Sequence, residues 1–229
     1  MNKGKLYGIG VGPGNPELVT VKAVRLMKEA DFIAVPDKGT GEKTALNIVK
    51  DYVEGKELLY CPTPMIRDHA ILDQCYTEIA DRICALLDQG KNVCMITLGD
   101  PSIYSTYIYV HKKVLARGYE AELVPGVPSF CAVAAKLGKS LCEGSDRLLI
   151  VPASCDVTEA LDVPANKVFM KAGSSIQQLQ EQLRDRGLLE KAALVANCGM
   201  ENEQVWQHFA DMKESSGYFS IVVVKEREE

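Results

Sequence analysis

Three loops rich in glycine and proline carry the residues best suited to chemistry. They are Gly10-Val11-Gly12-Pro13-Gly14-Asn15-Pro16-Glu17-Leu18, Leu98-Gly99-Asp100-Pro101-Ser102-Ile103-Tyr104-Ser105-Thr106 and Val124-Pro125-Gly126-Val127-Pro128-Ser129. Each follows a short apolar run, and in open α/β sheets ligands bind outside the carboxyl ends of strands. Glycine lets a backbone approach a ligand closely, and proline sets the turn. Asp100 adds a carboxylate that suits an ammonium group or a ribose hydroxyl. Alone, Asp100-Pro101 reads as an ordinary helix-capping turn; three such loops in one chain point to one cleft.

The first loop is not a dinucleotide fingerprint. Counted from Gly8, the third glycine of GxGxxG falls on Pro13, which has no N–H to offer a pyrophosphate; counted from Gly10, it falls on Asn15. Asp37, the one acid near the end of the second apolar run, follows a proline and is poorly placed for a ribose. The histidines, His69, His111 and His208, are isolated and match no zinc spacing, so no metal ligand set is expected. The eight cysteines (Cys61, Cys75, Cys84, Cys94, Cys131, Cys142, Cys155 and Cys198) include no CxxC pair. Several stand inside apolar patterns and read as small buried hydrophobes kept reduced.

The elements that must position these loops alternate between short apolar runs and helical patterns, the signature of βαβ units. Strands are expected at 6–11, 32–35 (ended by Pro36), 92–98 and 121–124, then more loosely at 147–152, 167–171, 192–197 and 218–225. The last is rich in β-branched residues and suits an antiparallel strand. A helix is expected to start at Asn15 (N-cap) with Pro16 and Glu17, and to bury Val19, Ala23, Leu26, Met27 and Ala30. A long helix over 68–89 would face Leu72, Cys75, Ile79, Ile83 and Leu86 inward and end at Gly90. Further helices are expected from the Tyr-rich segment to Gly118, from 129 to Gly138, and around Ile176, Leu179 and Leu183.

The chain has 229 residues with 47% hydrophobic and 25% charged residues, which sets aside disordered, collagen-like and coiled-coil classes. No run approaches the roughly 18–20 apolar residues that span a bilayer, and the start shows no leader pattern, so a cytoplasmic location is expected. The net charge of -5 offers no basic field for nucleic acid. An anionic ligand would therefore have to meet a local basic patch.

Taken in order, Gly10-Val11-Gly12-Pro13-Gly14 with Leu18, Thr20 and Ala23, then Gly99-Asp100-Pro101-Ser102-Ile103-Tyr104, Val124 to Ser129, and Phe169 to Ala172, resemble the tetrapyrrole methylases. Pro62 to Asp68 and Asn197 to Val205 resemble, within that family, the precorrin-2 or cobalt-factor II C-20 methyltransferases of cobalamin synthesis. The resemblance implies two α/β domains, 1–122 and 123–229, with S-adenosylmethionine (SAM) in the cleft between them in a site unlike the Rossmann one. It implies cofactor contacts from Pro13, Leu98, Gly99, Asp100, Ile103, Ser129, Phe130, Met170 and Cys198. It also implies a tetrapyrrole substrate, a homodimer, and neither nucleic-acid nor membrane partners. A proton must leave the methylated carbon, and Asp100 and Tyr104 are the candidates to help, with Tyr104 equally suited to stacking on the ring. The carboxylates of the substrate would meet Arg67 first, with Lys38, Lys43 and Lys171 behind it. The alternatives are a tetrapyrrole methylase of different regiospecificity, a relative directed at a macromolecule such as a diphthine-type or ribosomal RNA methyltransferase, and a binding module without activity.

Overall fold

The computed structural model describes residues 3–226 except 40, 42, 67, 154, 155 and 214–216. The chain divides into two compact units, Met1–Pro128 and Ser129–Glu229.

The first unit is built on β1 (Leu6–Gly10), α1 (Val21–Glu29), β2 (Phe32–Asp37), α2 (Thr44–Val49), β3 (Glu57–Pro62), α3 (His69–Asp88), β4 (Val93–Thr97), α4 (Tyr107–Ala116) and β5 (Ala121–Val124). Its five strands lie in the order β3-β2-β4-β1-β5, with every pairing parallel. Successive side chains leave opposite faces, so one strand feeds two cores. Leu6, Ala34, Val93 and Met95 pack with α3 and α4; Ile9, Ile33, Val35, Cys94 and Ile96 pack with α1 and α2. Burial on both faces explains why β4 is apolar from Val93 to Ile96, with only its last residue, Thr97, polar.

Two local expectations are corrected. Asn15 does cap, accepting from the Glu17 N–H at 2.9 Å, but what it caps is a single 3-10 turn, Pro16–Leu18. The α-helix starts afresh at Thr20, whose Oγ1 accepts from the Ala23 N–H at 3.2 Å, and Val19 stands extended between the two. Pro36 does not end β2. The Phe32 N–H donates to the Asn92 carbonyl on the β4 side, so Pro36, four residues on, also turns its missing N–H toward β4. The β2–β4 pairing stops at Ala34, so no bond is lost there, and β2 continues beside β3 to Asp37.

On α3, Asp68 caps the Ala70 and Ile71 N–H groups, and Gly90 at φ 77° closes the far end, with the Lys91 N–H reaching back to the Leu86 carbonyl. The buried face is set by Tyr76, Ile79, Ala80, Ile83, Cys84 and Leu87, whereas Leu72, Cys75 and Leu86 are only half-buried. Between α4 and β1, Gly8 makes room for the buried Tyr107 ring, which stands within 2.0 Å of where a Cβ would lie.

The second unit contains α5 (Ser129–Leu137), β6 (Leu148–Pro152), α6 (Thr158–Asp162), β7 (Asn166–Met170), α7 (Ile176–Asp185), β8 (Ala192–Ala196), β9 (Gln204–Trp206) and β10 (Ser220–Val224). The sheet runs β6-β7-β10-β8-β9, and β10 is antiparallel to both neighbours, as its composition suggested. One core of Phe169, Leu179, Leu183, Leu194, Phe209, Val222 and Val224 fills it. Lys167 is fully buried, its ammonium donating to the Val163 and Ala165 carbonyls at 2.7 and 2.9 Å and pairing with Glu226.

Candidate functional site

All three glycine-proline loops of the sequence meet in the first unit, at the carboxyl ends of β4, β1 and β5. Gly12 and Gly99 form a two-way bridge: the Gly99 N–H donates to the Gly12 carbonyl at 2.8 Å, and the Gly12 N–H donates back at 3.2 Å. Gly10, Gly99 and Gly126 are in backbone contact. A Cβ on Gly126 would stand 2.3 Å from the Gly99 oxygen, and one on Gly10 would stand 2.6 Å from the Gly126 nitrogen. These glycines are therefore required by chain packing on chain, independently of any ligand.

Asp100 is the hinge pin of this junction and is 9% exposed. Its Oδ1 accepts from the Ser102 N–H at 2.8 Å and from the Ser102 hydroxyl at 2.5 Å, and its Oδ2 accepts from the Gly126 N–H at 3.0 Å. One carboxylate thus shapes its own turn and fastens it to the third loop. Behind it, Thr97 Oγ1 and Ser105 Oγ share a buried hydrogen bond of 2.8 Å, and the Ser105 hydroxyl oxygen also accepts from the Tyr107 N–H at 3.2 Å. The loop from 98 to 105 is pinned at its start, middle and end.

Pro13 and Gly99 are buried here, and Leu98 and Ile103 are half-buried. Tyr104 is 48% exposed and adopts φ 48°, a left-handed conformation that bulky side chains avoid. Arg67 lies outside the described residues, as does Cys155. Lys43 is held by Asp37 at 2.6 Å, 5.9 Å from the Tyr60 ring centroid, and its ammonium holds the Asp37 carboxyl below its ordinary value. His69 is the exposed first residue of α3. Buried His111 shares a 3.0 Å hydrogen bond with the Tyr107 hydroxyl, and burial lowers its pKa.

The remaining expected contacts stand in the second unit. Ser129 and Phe130 open α5, with the Phe130 ring buried. Met170 is the last residue of β7 and is followed by Lys171 at φ 58°. Cys198 follows Asn197, at φ 53°, off the end of β8. Together with Tyr104, Lys171 and Asn197 are the non-glycine residues with positive φ among the described residues. Of the cysteines, Cys61, Cys84, Cys94 and Cys198 are buried, Cys75 is half-buried, and Cys131 and Cys142 are exposed thiols rather than core residues.

Among the described residues no ammonium or guanidinium pairs with Asp100, so within that set a buried carboxylate stands without a counter-cation at a glycine junction. That charge balance suits a cationic ligand, and SAM carries both a sulfonium and an ammonium. The residues present fit the group. Among the described residues no set of three or more His, Cys, Asp or Glu side chains could hold a metal ion, and no helix is long and apolar enough to cross a membrane.

The family model of the tetrapyrrole (corrin/porphyrin) methylases matches residues 5–212. The chain belongs to this family. It is 32% identical over 231 residues to the cobalt-precorrin-2 C(20)-methyltransferase of Salmonella typhimurium, covering 98% of this chain and 97% of that protein. It is 30% identical over 233 residues to the precorrin-2 C(20)-methyltransferase of a Sinorhizobium species, covering 96% and 95%. Among solved structures, the uroporphyrin-III C-methyltransferase of Thermus thermophilus complexed with S-adenosylhomocysteine (SAH) superposes with a TM-score of 0.72 at 20% identity, over 97% of this chain and 98% of that one. The two-unit α/β architecture described above is the fold of this family.

Sequence reasoning missed the partners of Asp100. Nothing in the letters Gly-Asp-Pro-Ser announces a bond to Gly126, and only the recurrence of glycine in three loops hinted at it. It also missed the environment of Glu203, taken up below.

Proposed function

We propose that this protein is a SAM-dependent methyltransferase that methylates the C-20 meso carbon of precorrin-2 or of its cobalt form in cobalamin synthesis. The observation that carries the cofactor reading is the buried Asp100 carboxylate, held by three donors and with no cation paired to it among the described residues, at the junction of three glycine loops. The regiochemistry is supported by two relatives named for the C-20 reaction that match nearly their whole length.

SAM supplies an activated methyl group on a sulfonium, which an electron-rich ring carbon attacks directly. With SAM bound, the ring carbon would supply the electron pair of the new C–C bond, sulfur would keep the S–CH3 pair as the neutral thioether of SAH, and C-20 would lose its proton. Alignment contributes most to such a step, so the residues needed are those that orient and dry the site. Pro13, Leu98, Gly99, Asp100 and Ile103 hold the cofactor in this reading, with Ser129, Phe130, Met170 and Cys198 in the second unit.

Asp100 receives three of the roughly four hydrogen bonds a carboxylate accepts, so its role is to shape the loop and face the cation. Tyr104 is the exposed group at the loop tip, suited to lie against the ring, and the proton from C-20 leaves to solvent. Lys43 and Arg67 meet substrate carboxylates; Lys43 has three donors and uses one on Asp37. The protein acts in the cytoplasm as a homodimer, without nucleic-acid or membrane partners.

The test is incubation with SAM and, in parallel, precorrin-2 and cobalt-factor II. One of the two substrates is expected to gain the mass of one methylene, with NMR placing the methyl at C-20. Methylation at another carbon overturns the regiochemistry, and no transfer to either substrate together with no calorimetric binding of SAH overturns the reading.

A further inference from the structure

The turn that leaves β8 is held from outside itself. Its backbone needs two left-handed residues, Asn197 at φ 53° and Gly199 at φ 79°. The Asn197 N–H is tied to the Phe219 carbonyl at 3.0 Å, and the Met200 N–H to the Asn197 carbonyl at 2.9 Å. Glu203, four residues beyond Gly199, then reaches back. Its Oε2 accepts from the Gly199 N–H at 2.8 Å, and its Oε1 meets the Lys136 ammonium at 2.6 Å.

Glu203 also faces the thiol of Cys198. Burial and then the Glu203 charge push that thiol up to about 11. Burial works to raise the Glu203 carboxyl, but Lys136 and the Gly199 N–H outweigh it and hold the carboxyl below its ordinary value.

Exposed ion pairs contribute little to stability. This one differs because the Glu203 side chain is 19% exposed and serves a backbone N–H, a thiol and an ammonium at once. Its geometry also matters. Lys136 lies in the last turn of α5, the helix whose first residues are Ser129 and Phe130. The Glu203–Lys136 pair therefore joins the Cys198 turn to the helix that carries the other contact pair of this unit.

We propose that Glu203 is a positioning residue for the cofactor: it sets the Asn197-Cys198-Gly199 turn and, through Lys136, fixes that turn to α5. The inference rests on the cofactor reading above. Glu203 does not touch the reacting atoms. It removes conformational freedom from the turn before ligand arrives, so the ordering entropy is not charged against binding.

The experiment uses the full chain with Glu203→Gln, Glu203→Ala and Lys136→Met. Calorimetric titration with SAH is expected to show a Kd raised about tenfold in Glu203→Ala and less in Glu203→Gln, which keeps an acceptor for the Gly199 N–H. KM for SAM rises in parallel while kcat stays within about twofold, a split that general destabilisation does not produce. A second readout needs no cofactor: alkylation of Cys198 by iodoacetamide at alkaline pH, followed by peptide mass spectrometry, is faster in Glu203→Gln because no carboxylate opposes the thiolate.

Where Glu203→Ala does not fold, Lys136→Met carries the same expectation of weaker SAH binding. A wild-type chain that binds SAH, beside variants that bind it within twofold, overturns the positioning role alone. A wild-type chain that does not bind SAH overturns the cofactor reading and this inference with it.

Discussion

Replacing Gly126 by alanine tests whether the three loops form one packed junction. The new Cβ would stand 2.3 Å from the Gly99 carbonyl oxygen and 2.7 Å from the Gly10 carbonyl carbon, both backbone atoms that cannot swing aside. To reach even 3.0 Å from the oxygen, the third loop must retreat by about 0.7 Å. That retreat lengthens the 3.0 Å bond from the Gly126 N–H to Asp100 Oδ2 beyond hydrogen-bond range. The strain of overpacking costs about 1–3 kcal/mol, and the lost bond to a charged acceptor about 1.5–3 kcal/mol. A total of about 2.5–6 kcal/mol in a chain of this size lowers the melting temperature by roughly 5–24 °C. SAH affinity should fall at least tenfold, because the Asp100 turn loses its anchor. Differential scanning calorimetry and isothermal titration read both effects. Gly217→Ala is the control: its Cβ meets nothing within 4 Å, so both measurements should stay at wild type. A Gly126→Ala protein with wild-type melting and wild-type SAH affinity would refute the packed junction and the role assigned to Asp100.

Three further outcomes follow from buried groups. Glu226→Ala leaves the ammonium of fully buried Lys167 with two carbonyls as its partners among the described residues, so denaturant unfolding should show a loss of about 3–5 kcal/mol, whereas Lys167→Met, which removes the charge and keeps the stem, should lose distinctly less. His111 is buried and neutral, with its pKa lowered by burial; its contribution to stability is complete above the ordinary value of 6.5 and is lost as pH falls below it. The melting-temperature difference between wild type and His111→Gln should therefore shrink between about pH 7.5 and 5, and a constant difference contradicts the assignment. Tyr107→Phe removes a hydroxyl bonded to His111 and to the Glu122 carbonyl, at a cost of about 1–3 kcal/mol in chemical denaturation.

Strand positions were legible where burial on two faces left a continuous apolar run, as in β4, and where β-branched residues accumulated, as in β10. β3 was not, because it is an edge strand whose Leu58 and Tyr60 are exposed and whose first residue is Glu57; its pattern follows neither one face nor two. β9 is three residues long, and α2 and α6 lack side-chain caps, so none carries a start signal. Pro36 misled because a proline ends a strand only when its missing N–H was needed, and that depends on the register of β4, which no local window contains. The glycine loops were legible as segments that come together and misleading in detail. A glycine that admits a ligand and a glycine that admits another backbone are the same letter, and at Gly10 and Gly126 the backbone is what arrives.

Backbone strain adds an argument that composition could not. Tyr104, Lys171 and Asn197 each hold a left-handed conformation at a cost of about 1–3 kcal/mol, least for asparagine. Each stands beyond the carboxyl end of a strand: Tyr104 in the loop after β4, Lys171 directly after β7, Asn197 directly after β8. Glycine would relieve the strain at all three, and the chain uses glycine at φ > 0 freely elsewhere, as at Gly90, Gly118 and Gly138. Where a helix only has to stop, the cheap residue is present; at these three strand ends a phenol, an ammonium and an amide are kept in spite of the cost. Hydrogen bonds hold the strained backbone in place: the Ala172 N–H to the Ser220 carbonyl at 3.2 Å beyond Lys171, the Asn197 N–H to the Phe219 carbonyl at 3.0 Å, and the Asp100 and Ser105 clamps on either side of Tyr104. All three positions lie just beyond the carboxyl ends of strands, which is where the glycine loops of the sequence first pointed.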